Sequence, residues 1–103
     1  MATLYVTECT QLGQDKYGNE IAAPLVGSAA SVTEQTVAIG GSSAASAAFG
    51  SRTRFIIVHT DAICSIAFGV SPVAAASAHR LAANETRFYG VNPGDAIAVI
   101  TNT

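Results

Sequence analysis

His59, Asp61 and Cys64 stand close together in this chain. An imidazole, a carboxylate and a thiol are the parts of a nucleophilic triad, in which the imidazole takes the thiol proton and the carboxylate orients the ring. The surrounding residues point elsewhere. The stretch TRFIIVHTDAICSIAFG, residues 53–69, is rich in β-branched and aromatic side chains and reads as two strands folded back at Asp61-Ala62. That register sets Phe55 opposite Phe68, Ile57 opposite Ile66, and His59 opposite Cys64, all on one face because side chains alternate along a strand. Phe55, Ile57, Ile66 and Phe68 become a core row, and His59 and Cys64 close its edge. Asp61 turns its carboxylate to backbone N–H groups of the turn. No catalytic residue is assigned, and no enzyme is expected.

Cys9, Cys64, His59 and His79 are the complete set of cysteines and histidines, enough for one Cys₂His₂ zinc site. Their spacing matches none of the compact zinc modules, so neither metal nor cofactor is expected, and the cysteines read as reduced, buried thiols. Glu8, Glu20, Glu34 and Glu85 are isolated from one another and read as residues of solvated faces, with no carboxylate pair for acid–base work. Gly40-Gly41-Ser42-Ser43 lacks the lysine and spacing of a phosphate loop and is turn chemistry.

Only 12% of the 103 residues are charged and the formal net charge is −2. Soluble domains usually carry about 25% charge, and a small chain so poor in it often hides surface in an assembly. Lys16, Arg52, Arg54, Arg80 and Arg87 are spread along the sequence rather than gathered in a stripe, which argues against nucleic acid. No segment has the apolar length of a membrane span, and the first residues lack the pattern of a secretion signal, so use without secretion is expected. Tyr17, Arg52, Arg54 and Arg87 are the candidate interface residues, arginine and tyrosine being enriched at protein contacts.

One domain over residues 1–103 is expected. Residues 2–9 alternate, with Leu4 and Val6 on one face, as a first strand does. Residues 10–30 lose periodicity and collect Gly13, Asp15, Gly18, Asn19, Pro24 and Gly27. This is either an extended arm lying against a neighbour or a surface loop with a short hairpin at 16–19. Residues 32–39 read as a second strand with Thr33, Gln35, Val37 and Ile39 on one face. Residues 44–49 read as a strand in preference to a helix. Residues 73–81 admit one short helix begun by Pro72, or an irregular connection. Residues 85–91 and 95–101 are the last strands, joined through Asn92-Pro93-Gly94-Asp95, a type II turn signature. The last strand is apolar on both faces and belongs at the centre of a sheet. Short strands and glycine-rich turns indicate an all-β fold, an antiparallel β-sandwich or jelly-roll-like barrel.

The strings ATLYVTE at 2–8, APLV at 23–26, QTVAIGGSSAASAAF at 35–49, TRFIIVHTDAICSIAFG at 53–69, RLAANETRFYGV at 80–91 and the closing ITNT together cover most of the chain. They resemble the small virion structural proteins of tailed bacteriophages, of the capsid decoration or cement type. The resemblance implies a β-sandwich that binds between subunits of a major capsid protein, forms a homo-oligomer, and sits on the capsid surface after synthesis in the bacterial cytoplasm. It brings no catalytic residues. The alternative from another class is a glycan- or receptor-binding module on a phage head or tail fibre, for which Tyr5, Tyr17 and Tyr89 are the available aromatics.

Overall fold

Two four-stranded antiparallel sheets pack face to face in the computed structural model, which describes residues 2–24 and 33–102 (the side chains of Ala22 and Pro24 excepted). The strands are β1 (Thr3–Cys9), β2 (Leu12–Gln14), β3 (Glu20–Pro24), β4 (Thr33–Ala38), β5 (Ala44–Ala45), β6 (Phe55–Thr60), β7 (Cys64–Gly69), β8 (His79–Leu81), β9 (Thr86–Gly90) and β10 (Ala96–Thr101). The first sheet runs β4-β1-β6-β9 and the second β5-β10-β7-β8, while β2 and β3 pair alone as a hairpin. The chain passes from one sheet to the other between β4 and β5, β5 and β6, β6 and β7, β8 and β9, and β9 and β10. The all-β sandwich expected from the sequence is the fold observed.

The core lies between the sheets. Alternation on β1 turns Leu4 and Val6 inward, where they meet Val37 of β4 and Ile56 and Val58 of β6. The second sheet contributes Ile66, Leu81, Ile97 and Val99. Each side chain of this size stabilises by about 1.5–3 kcal/mol when fully buried. The β10 strand sits centrally, as its two apolar faces require, and Ala96, Ile97, Ala98 and Val99 are all buried. The turn before it is type II: Asp95 N donates to Asn92 O at 3.2 Å, and Gly94 has φ +87°, which a Cβ would oppose. After the two residues of β5 the chain stays extended beside β10, with Ser46 N donating to Ile97 O and Phe49 N to Asp95 O.

The reading of residues 53–69 as one hairpin is overturned. β6 pairs with β1 and β9, whereas β7 pairs with β10 and β8. Phe55 and Phe68, Ile57 and Ile66, and His59 and Cys64 are therefore not partners. β6 is apolar at both parities, so alternation alone could not choose its inner face. The neighbouring strand chooses: Val6 pairs with Val58 and Leu4 with Thr60, which carries Ile56, Val58 and Thr60 inward and leaves Phe55 and Ile57 half-buried outside. Of the expected row only Ile66 is buried; Phe68 is 39% exposed.

The short helix admitted over residues 73–81 is absent. Ala78 N donates to Ala75 O in a single turn, and His79 begins β8. An alanine helix here could bury little, whereas a flat strap of alanines can lie close against a sheet. Ala74 N donates to Ser43 Oγ at 2.9 Å, and Ala76 O accepts from Ser65 Oγ at 3.3 Å and Asn102 Nδ2 at 3.0 Å. Ser43 adjoins β5 and Ser65 lies in β7, so the strap crosses the outer side of β10 between them. Ser65, Ala74, Ala96 and Ala98 are buried as a result. Leu81 ends this segment fully buried beside Cys64.

Of residues 10–30, the hairpin is what the described part shows: Leu12 pairs with Pro24 and Gln14 with Glu20. Asp15 closes its turn by accepting from Tyr17 N at 2.8 Å and Asn19 N at 3.0 Å. Residues 25–30 of that segment and Val32 lie outside the described residues.

Candidate functional site

The triad candidates are held apart by the sheet crossing. His59 points out of the first sheet, where its Nδ1 is hydrogen-bonded to Thr86 Oγ1 at 2.8 Å. Cys64 is fully buried inside the second sheet, and its thiol donates to Thr60 Oγ1 at 3.6 Å. Asp61 does bind backbone, as its turn position required, but its partner is the distant Thr3 N at 2.7 Å. Cys9 is likewise buried and free. Burial pushes both thiols above their ordinary pKa, which leaves little thiolate at neutral pH. Among the described residues, no three His, Cys, Asp or Glu side chains gather closely enough to hold a metal ion.

Glu8 is a correction to the expectation of a solvated carboxylate. It shares the inward parity of Leu4 and Val6 and is only 4% exposed. Its Oε1 accepts from Gly50 N and Thr53 Oγ1, both at 2.9 Å, and its Oε2 from Gln35 Nε2 at 3.0 Å. Gln35 Oε1 in turn accepts from Ala47 N at 3.0 Å. A carboxylate facing only donors is satisfied without a cation, and it ties β1 and β4 to the 47–53 connection. The position was readable: residues 4, 6 and 8 lie on one side of a strand.

Two surfaces remain as candidates for contact. The first is the end of the sandwich from which the hairpin springs. Arg54 N donates to Cys9 O, Gly94 N to Phe49 O, and Gly69 pairs with Ala96, so residues 9–12, 49–55, 68–70 and 90–96 gather there. Exposed Arg52 and Arg54 lie at this end with Val70, which is 81% exposed. Tyr17 caps the hairpin turn at 77% exposure, with Lys16 Nζ 5.1 Å from its ring centroid, and Ile21 is exposed on β3. The molecule is drawn out to 47 Å along its long axis against 25 and 21 Å across.

The second surface is the outer side of the first sheet. The registers place Tyr5, Thr7, Phe55, Ile57, His59, Thr86 and Phe88 on it. Phe88 is 57% and Tyr5 48% exposed, and Leu12 covers one corner beside Phe55, Phe88 and Gly90. Glu34, paired with Thr7, is its charge on the β4 rim. Sequence reasoning missed this face because it assigned Phe55 and Ile57 to the core.

Arg87, the fourth candidate interface residue, stands apart from Tyr17, Arg52 and Arg54. It lies on the β9 edge, ion-paired with Glu85 and still half exposed. Behind it Tyr89 Oη is hydrogen-bonded to His79 Nε2 at 2.7 Å, and the Tyr89 ring lies 5.1 Å from that of Phe68. These contacts close the gap between β9 of one sheet and β8 of the other. Burial raises the Tyr89 phenol above its ordinary pKa. Comparison with family models, with curated proteins and with solved structures gave no match.

Proposed function

We propose that this chain is a structural protein of a bacteriophage virion, bound to the capsid surface between major capsid subunits and made in the host cytoplasm. The observation that carries this reading is the hairpin end, where Val70, Arg52 and Arg54 are exposed and from which the hairpin carries exposed Ile21 and Tyr17. Exposed apolar side chains accompanied by arginine are the composition of a protein contact. The low overall charge and the resemblance of the strand and turn strings support the same reading. Binding that occurs only on the assembled shell stabilises that shell by mass action, and it requires no catalytic residue, cofactor or metal.

A sugar-binding role is less well supported, because Lys16 lies over the Tyr17 ring that a sugar would stack on, and the Tyr89 hydroxyl is engaged by His79. Quantitative proteomics of purified particles is expected to find the chain at high copy number, and Arg52→Glu with Arg54→Glu is expected to reduce it. Absence from the particle would overturn the proposal.

A further inference from the structure

The basic side chains of this chain are not equally occupied. Arg87 is ion-paired with Glu85, and Lys16 lies over the Tyr17 ring. Arg52 and Arg54 are exposed at the hairpin end, and among the described residues neither guanidinium has a hydrogen-bond or ion-pair partner. The backbone that carries them is nonetheless fixed. Thr53 N donates to Gly50 O at 3.1 Å, closing a turn over residues 50–53, and Arg54 N donates to Cys9 O at 3.0 Å. From inside, Glu8 Oε1 accepts from Gly50 N and Thr53 Oγ1, both at 2.9 Å, so one buried carboxylate grips both ends of the turn. Its other oxygen accepts from Gln35 Nε2, and it meets neither arginine. Thr53 is buried between two side chains that stand in solvent.

We infer that this end takes an extended acidic segment of a protein partner, with Asp or Glu at alternate positions and one carboxylate to each guanidinium. The inference rests on the reading of the chain as a capsid-bound subunit and names the chemistry that its partner presents here. Spacing and charge favour that occupant. Residues two apart along an extended strand lie about 6.5 Å from each other, so arginines at 52 and 54 match carboxylates at alternate positions of one strand. A guanidinium holds a carboxylate through two parallel hydrogen bonds, which gives each pairing a direction as well as a charge. A turn already held by Glu8 needs little ordering when the segment binds. A long polyanion fits less well, because a pair of phosphate contacts releases few counterions and the chain as a whole carries a net charge of −2. Val70, exposed at the same end, offers the segment an apolar neighbour.

NMR titration of the isotope-labelled chain tests this directly. The probe is a short capped peptide alternating Glu and Thr, with the Gln–Thr peptide as neutral control and an oligothymidylate of similar length as polyanion control. The Glu–Thr peptide is expected to shift the amides of residues 50–55 with a Kd of about 1–10 mM at low salt, and to bind several-fold more weakly at about 200 mM salt. Arg52→Ala with Arg54→Ala is expected to abolish these shifts, and Arg87→Ala to leave them unchanged. Thermal melts establish that each variant is folded. The inference is overturned if the Gln–Thr peptide acts equally, if the shifts centre on Lys16 or Arg87, or if they survive in the double variant. A stronger response to oligothymidylate overturns it in favour of nucleic acid, and so does silence up to about 20 mM peptide in favour of no acidic partner. Copy number on the particle is a separate readout, so a chain that decorates particles but ignores the peptide loses this partner and keeps the proposed function.

Discussion

At the scale of the residue, Ile56 and Phe68 reverse the ranking that side-chain size alone would give. Ile56 is fully buried between the sheets and Phe68 is 39% exposed at the edge of the second. Ile56→Ala is expected to destabilise by about 2–5 kcal/mol, because it leaves a cavity in a packed layer. Phe68→Ala removes the larger side chain yet is expected to cost clearly less, its contact with Tyr89 being partly solvated. Urea unfolding of the two variants gives the order, and a larger loss for Phe68→Ala would mean that Phe68 and not Ile56 lies in the tightly packed layer. Leu4, Val6 and Glu8 show the rule at work where one parity alone is apolar. On β6 the same rule is mute, because Phe55 and Ile57 are as apolar as Ile56 and Val58.

At the scale of the element, the connection from β8 to β9 is held by backbone bonds to Thr60 and by one carboxylate. Glu85 Oε1 accepts from Ala82 N at 2.8 Å, and Oε2 binds Arg87. The bond from Ala82 and then the Arg87 guanidinium hold its carboxyl below the ordinary value. A depressed pKa means that the folded chain favours the ionised form. The contribution is therefore present above the ordinary carboxylate value and lost as pH falls through the lower folded one. The protection of the Ala82 amide, its exchange taken relative to the intrinsic rate at each pH, is expected to fall between about pH 5 and pH 3, and Glu85→Gln to flatten that dependence. An unchanged profile in the parent would show that the carboxylate does not hold the turn. Before this connection β8 reads in the sequence as part of a helix or an irregular connection, and only β9 after it, whose pattern is local, was legible. The sheet each joins was not: residues 53–69 look like a hairpin, and only the strands on either side of β6, far off in sequence, decide otherwise.

At the scale of the molecule, the chain covers one of its outer faces with its own alanine strap and leaves Tyr5 and Phe88 exposed on the other. The low charge of the sequence could not point to this face, because Phe55 and Ile57 had first to be moved out of the core. The strap was equally illegible. Alanine composition fits a helix or a flat cover alike, and the hydrogen bonds from Ser65, Asn102 and Ser43 decide between them.

The first and last strands each occupy the middle of a sheet, and their outer ends are fastened to the same short connection: Asp61 N donates to Thr3 O, and Asn102 N to Ile63 O. The beginning and end of the domain are therefore neighbours in space, at the pole opposite the hairpin. A circular permutant, with residues 3 and 102 bridged by a short Gly/Ser linker and new termini opened between Gly18 and Asn19, keeps every strand of both sheets intact. It is expected to fold with a circular dichroism spectrum and a melting transition close to the parent's, since exposed loop tips tolerate such cuts. A permutant that fails to melt cooperatively would mean that the hairpin, and not the sandwich alone, is required for the fold. In practical terms the domain can be joined to other chains at one pole while the hairpin pole stays clear of the junction.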